Sequence, residues 1–264
     1  MDQNQIDNLR AWFQKYVAGF YGDDESLNAD LKLKEDHTAR TCQEMLYLAD
    51  ELGLCDSDRR IAETVALFHD VGRFEQFTKY RTYDDTKSVG HAVLGVQILQ
   101  REKVFDSLGP ELRQLILKAI ECHGVRILPD DLADPCLMFA KMIRDADKLD
   151  IYYAVTRGYS EFKDNPSGFS LALGLPDKPY CTDKVVEQVL NGGSIDYSEM
   201  ETLNDLKLIQ AGWVHDINFT ATLKRIKERK FLEMLTDLLP DTPRIQQVKK
   251  KILAYVNERI AREE

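Results

Sequence analysis

The sequence predicts an all-α protein: a helical bundle with a C-terminal helical extension. Three observations carry this. Apolar residues recur at helical spacing through most of the 264 residues. Caps and helix-starting prolines punctuate the chain at helix-length intervals. No stretch alternates apolar and polar residues as a half-buried strand does.

The elements follow in order. "IDNLRAWFQKYVAGFY" (6–21) puts Leu9, Phe13, Tyr16, Val17 and Phe20 at helical spacing, and "GDDESLNAD" breaks it. A second helix is expected from about Leu31 to Leu52. A third starts near the Asp56–Asp58 cluster, which offers N-caps, and ends at Gly72, which suits a C′ position. The polar, aromatic-rich connector "EQFTKYRTYDDTKSVG" comes next, then a fourth helix, "HAVLGVQILQREKVF". Pro110 stands at N1 of "ELRQLILKAIECH", and Gly124 closes that helix. Asp134–Pro135 opens a long helix, "CLMFAKMIRDADKLDIYYAVTRG". Residues 158–196 are rich in Gly and Pro and read as irregular, and further helices are expected at about 201–214, 217–238 and 243–262. The expected division is a metal-binding helical domain over 1–157 and, over 158–264, a possible lid segment plus C-terminal helices packed on that core. Residues 158–200 read equally as a lid or a passive surface loop.

Composition removes several function classes. A net charge of -10 disfavours an extended nucleic-acid footprint, which needs a basic surface. The five cysteines are widely spaced with no CxxC and read as reduced thiols of a cytoplasmic protein. The start "MDQNQIDNLR" is polar and acidic, unlike a signal peptide, and no run of 18 apolar residues occurs, so no membrane span is expected.

Chemistry concentrates in the histidines. There are five: His37, His69, His91, His123 and His215. The first four fall one each on four successive predicted helices, on the apolar face each time. His69 ends a stripe of Ile61, Val65 and Phe68, and His123 ends one of Leu112, Ile116 and Ile120. One such imidazole is ordinarily a satisfied core residue. Four aimed at one core need acceptors or a metal, because buried polar groups must be satisfied. Carboxylates complete such sites. Asp70 follows His69 directly, and "RDADKLD" offers Asp145, Asp147 and Asp150. Asp147 shares a face with the small residues Ala140 and Ala154, Asp145 one with Met138, Met142 and Tyr152. Periodicity prefers Asp147 mildly, leaving Asp145 to cap or to orient a histidine. A second pair, His215–Asp216, has no histidine after it and reads as an ordinary packing pair.

The order His37, His69–Asp70, then the Asp of "ADKLD" resembles the HD superfamily of metal-dependent phosphohydrolases. In that family the last ligand is the Asp after Ala, which maps to Asp147. The histidines of "GHAVLG" and "ECHG" resemble the subset holding two metals. The resemblance implies an HD-domain helical bundle, with metal one on His37, His69, Asp70 and Asp147 and metal two on Asp70, His91 and His123. It further implies phosphoester hydrolysis in a small phosphorylated metabolite or nucleotide by a metal-bridging hydroxide. Mn, Fe, Co, Ni or Zn is expected, with Mg in a weak site. Arg73 stands where many HD enzymes have Lys. A guanidinium keeps its proton, so Arg73 is expected to clamp phosphate. Lys148, Lys79, Arg81 and Lys87 are the other candidate phosphate contacts, though a charge run is commonly a solvated face. Two alternatives stay open: a mixed-valent di-iron oxygenase of the same fold, and a non-catalytic nucleotide-binding sensor.

Overall fold

A computed structural model describes residues 1–162, 175–192 and 196–263. It is all-α, with no strand among the described residues. No described helix is long and apolar enough to cross a membrane. The chain forms two compact units, Met1–Asp150 and Ile151–Glu264.

The first unit holds α1 (Gln3–Ala18), α2 (Glu25–Glu51), α3 (Asp56–Phe68), α4 (Val71–Tyr80), α5 (His91–Arg101), α6 (Pro110–His123) and the start of α7 (Cys136–Phe162). Asp2 starts α1 with a capping box to Gln5, and Pro110 opens α6 at its first turn. α2 packs on α3 and α4, α4 on α5, and α6 on both α3 and α5. Met45, Leu48, Val65, Phe68, Ile98 and Ile120 are fully buried between them.

Two elements differ from the expectation here. The third helix ends at Phe68 rather than Gly72, and the supposed connector begins with a helix of its own, α4. Gly72 is therefore not a helix stop. Its missing side chain serves packing: a Cβ there would overlap the carbonyl oxygen of His91 and stand 2.7 Å from the amide nitrogen of Gly95. α4 and α5 thus meet backbone to backbone at Gly72 and Gly95. The second helix also starts earlier, at Glu25, where the Asp24 side chain accepts the Leu27 N–H.

The second unit holds the rest of α7, α8 (Asp183–Asn191), α9 (Leu203–Gly212), α10 (Thr220–Glu228), α11 (Phe231–Thr236) and α12 (Pro243–Ala261). α8 lies in the stretch expected to be irregular; Val185, Val186 and Val189 give it a buried face that the flanking Gly and Pro residues masked. The single helix expected over 217–238 is two, because Lys230 takes a left-handed conformation (φ 56°) between α10 and α11. Part of the lid reading over 158–200 falls on 163–174 and 193–195, outside the described residues.

Candidate metal centre

Asp70 sits at the junction of α3 and α4. α3 ends at Phe68, His69 keeps helical angles as its cap, and Asp70 breaks them (φ −102°, ψ 13°) before α4 starts. The adjacent side chains therefore leave the backbone from two abutting helix ends. His37 comes from mid-α2, His91 from the first residue of α5, His123 from the last of α6 and Asp147 from α7.

These six side chains meet. Asp70 Oδ2 lies 3.5 Å from His37 Nε2 and 3.8 Å from His69 Nε2. The other oxygen, Oδ1, lies 3.5 Å from His91 Nε2 and 3.8 Å from His123 Nε2. Within each pair the Nε2 atoms are 3.2 Å apart (His37 and His69) and 2.9 Å apart (His91 and His123). Asp147 Oδ1 adds to the first pair, 3.2 Å from His37 and 3.9 Å from His69. Two triads result, His37–His69–Asp70 and Asp70–His91–His123, each with its ligand atoms within 4.8 Å of one another. All four histidines and Asp70 are buried.

The tautomers decide what this cluster accepts. His69 Nδ1 donates to the Ala66 carbonyl at 2.7 Å, and His123 Nδ1 to the Ile120 carbonyl at 2.5 Å. His91 Nδ1 is 2.6 Å from Asp85 Oδ2, and His37 Nδ1 is 2.6 Å from Asp150 Oδ2. Each imidazole thus spends its Nδ1 proton on an acceptor outside the cluster, so in the neutral ring Nε2 carries a lone pair. Burial lowers His69 to about 4, and burial together with Arg73 lowers His91 to about 4, so both are neutral at neutral pH. Lone pairs facing each other at such distances repel unless a cation lies among them. With metal–nitrogen bonds near 2.1 Å, ligand atoms stand roughly 3.0–3.4 Å apart, close to the 3.2 and 2.9 Å that separate the Nε2 atoms of the two histidine pairs. The donor set fits divalent cations.

His37 differs. Burial and Lys34 push it down, but the hydrogen bonds to Asp147 and Asp150 outweigh them and raise it to about 8. Burial opposes ionisation of Asp70, yet Lys34, His69 and Arg73 hold it well below the ordinary carboxylate range. Asp147 and Asp85 are likewise held down against burial, by His37 and His91 respectively.

Of the other sequence candidates, Arg73 joins the cluster and the rest of the basic connector does not. Arg73 Nε lies 3.4 Å from Asp70 Oδ1. Its Nη1 is tied to Gln76 Oε1, the Tyr83 carbonyl and Asp85 Oδ1 at 2.7–3.0 Å. Lys79 pairs instead with Glu75, Arg81 with Asp24 and Lys87 with Asp84, each with its side chain more than half exposed. Lys148 follows Asp147 on α7 and is partly buried. Asp145 is fully buried, whereas Asp147 retains 23% side-chain exposure. The residue orienting His37 is Asp150, which Arg40 also grips at 2.5 and 3.0 Å. Sequence reasoning missed Asp85 and Lys34, and it gave the histidine-orienting role to Asp145 where Asp150 holds it. Asp150 and Lys34 carried a signal, since each lies three residues from a candidate ligand on the same helix face.

The fold and the site define a helical domain built around a histidine–aspartate cluster that can hold metal. Residues 35–152 match the family model for the HD domain. HD domains bind divalent metals, and the family is mostly metal-dependent hydrolases. Comparison with curated proteins and with solved structures gives no match.

Proposed function

We propose that the protein hydrolyses a phosphoester bond in a small phosphorylated metabolite or nucleotide, with two divalent metals held by His37, His69, Asp70 and Asp147 and by Asp70, His91 and His123. One observation supports this above others. The two oxygens of Asp70 face different histidine pairs, each at 3.5 and 3.8 Å, the relation a shared carboxylate has in a two-metal site. Metals bound there supply water activation and neutralise charge on the transferred phosphoryl group.

The chain's own residues do the rest. Arg73 is anchored through Nη1, and its buried Nε makes no hydrogen bond among the described residues. The Nε edge, 3.4 Å from Asp70 Oδ1, faces the carboxylate that both triads share, where a guanidinium can also grip phosphate oxygens. Lys148, beside Asp147, is a further phosphate-binding candidate. Asp85 ties this arrangement together, accepting from both Arg73 and His91.

The test is metal content after anaerobic purification, followed by a phosphate-release screen with Mn or Co. Metal-stimulated release from a small phosphoester supports the reading. Tightly bound iron with an oxidisable spectrum and no phosphate release overturns it in favour of oxygenase chemistry.

A further inference from the structure

Lys34 lies three residues before His37 on α2, so both side chains leave one helix face. Its Nζ is 2.9 Å from Asp70 Oδ2 and 5.3 Å from the centroid of the Tyr83 ring. Arg73 mirrors it on the other oxygen, with Nε 3.4 Å from Oδ1 and Cζ 5.9 Å from the same ring centroid. Tyr83 is itself fixed: its hydroxyl donates to the Asp30 carbonyl at 2.8 Å, and its ring stacks on Phe77 at 4.4 Å. One immobilised ring therefore backs two cations, one on each oxygen of the carboxylate that the histidine pairs share.

We propose that Lys34 contacts the phosphoryl group of the substrate and, with Arg73, makes the site favour a phosphomonoester dianion over a diester monoanion. This rests on the phosphohydrolase reading above. Two arguments carry it. An ammonium has three N–H donors, and among the described residues Asp70 is the one hydrogen-bond partner of Nζ, so donors remain for an incoming anion. Secondly, a lysine fixed beside a metal-ligating carboxylate repels the metal. A purely structural lysine there would only weaken the site; an anion between lysine and metal turns the repulsion into attraction on both sides. A dianion gains about twice what a monoanion gains from the same two cations.

The experiment uses Lys34→Met and Lys34→Arg in the full chain, loaded with Mn. Metal content is measured first, then binding of inorganic phosphate by calorimetry. Last comes kcat/KM for p-nitrophenyl phosphate and for bis(p-nitrophenyl) phosphate. In Lys34→Met, metal binding should equal or exceed wild type and phosphate binding should weaken about tenfold or more. Monoester kcat/KM should fall by a similar factor and diester kcat/KM by less, with Lys34→Arg recovering most of the loss. Unchanged phosphate affinity in Lys34→Met, or loss of metal from it, overturns the proposal while leaving wild-type turnover to support the broader reading. A metal-loaded wild type that neither binds phosphate nor cleaves either ester sinks the phosphohydrolase reading, and the Lys34 role with it. If wild type binds phosphate but cleaves neither ester, the phosphate affinity of the variants decides.

Discussion

His37 Nδ1 stands 2.6 Å from Asp150 Oδ2, and Arg40 holds that same carboxylate from the far side. Asp150 is buried and its pKa is lowered, with the His37 and Arg40 contacts outweighing burial. The relay fixes the ring so that Nε2 faces Asp70 and Asp147. Asp150→Ala should therefore weaken metal binding at the first triad about 10- to 100-fold. The second triad should bind as in wild type, because His91 is oriented by Asp85 instead. Metal titration of the variant with two resolved sites checks this; equal weakening at both triads would refute the relay.

Asp70→Ala should lose both metals, since among the described residues it is the group common to both triads. His215→Ala is the counterpart. His215 lies in the second unit with its ring 4.4 Å from Tyr255, so only packing is lost, about 1 kcal/mol. Metal analysis of the two purified variants decides. Near-normal metal in Asp70→Ala would mean the carboxylate is not shared.

The fold class and the four clustered histidines were legible because both rest on periodicity, while Asp70 and Asp147 were singled out by the resemblance of His37, His69–Asp70 and "ADKLD" to the HD pattern. A histidine at the end of an apolar stripe must point where the stripe points, and four stripes from one bundle converge. The pieces that were not legible are those whose roles depend on how the chain folds back on itself. Asp85 looks like one more charge in a polar connector until the chain brings it to the amide and ring of His91. α4 was hidden because Gly72 imitates a helix stop, and only the approach of Gly95 explains it. Asp150 was visible in "RDADKLD", yet nothing local distinguishes a ligand from the group that orients one.

Asp147 and Asp145 separate cleanly. Asp147 Oδ1 is 3.2 Å from His37 Nε2, while Asp145 is fully buried two residues away on the same helix. Asp147→Asn should lose the first metal and most activity. Asp145→Asn should keep both metals and lose stability instead, by about 1–3 kcal/mol for a disturbed buried polar group. Metal content together with urea unfolding distinguishes them, and loss of metal from Asp145→Asn alone would sink the helix register.

Gly72→Ala should destabilise the first unit and disturb the second triad together. The added methyl overlaps the carbonyl of His91, so α5 must move away from α4, and His91 moves with it. Overpacking of this kind costs about 1–3 kcal/mol. Gly90→Ala is the control, as a Cβ there meets nothing within 4 Å. Thermal unfolding and metal titration of both variants check it. A Gly72→Ala protein as stable as Gly90→Ala would show that the two helices can part freely.

The metal-free protein should be most stable near pH 6.5, because its buried histidines pull in opposite directions. His37 is raised to about 8, so the stability it contributes is fully present below about pH 6.5 and is lost as the pH rises through 8. His69 and His91 are lowered to about 4. Below about pH 6.5 the unfolded chain binds protons at those two positions that the folded chain does not. Each then costs about 1.4 kcal/mol per pH unit down to about pH 4. Asp70, Asp147 and Asp150, all held low, add to the loss only at still lower pH, as their protonation begins in the unfolded chain. Bound metal stabilises the neutral imidazoles, so the loaded protein should be more stable throughout and should fall more steeply on acidification, as protons displace metal. Urea unfolding of chelator-treated protein from pH 5 to 9 measures the first curve, and the same series with Mn the second. A metal-free protein that gains stability from pH 6.5 to 5 would mean that His69 and His91 can be charged in place, and that the lone pairs assigned to their Nε2 atoms are not what the cluster presents.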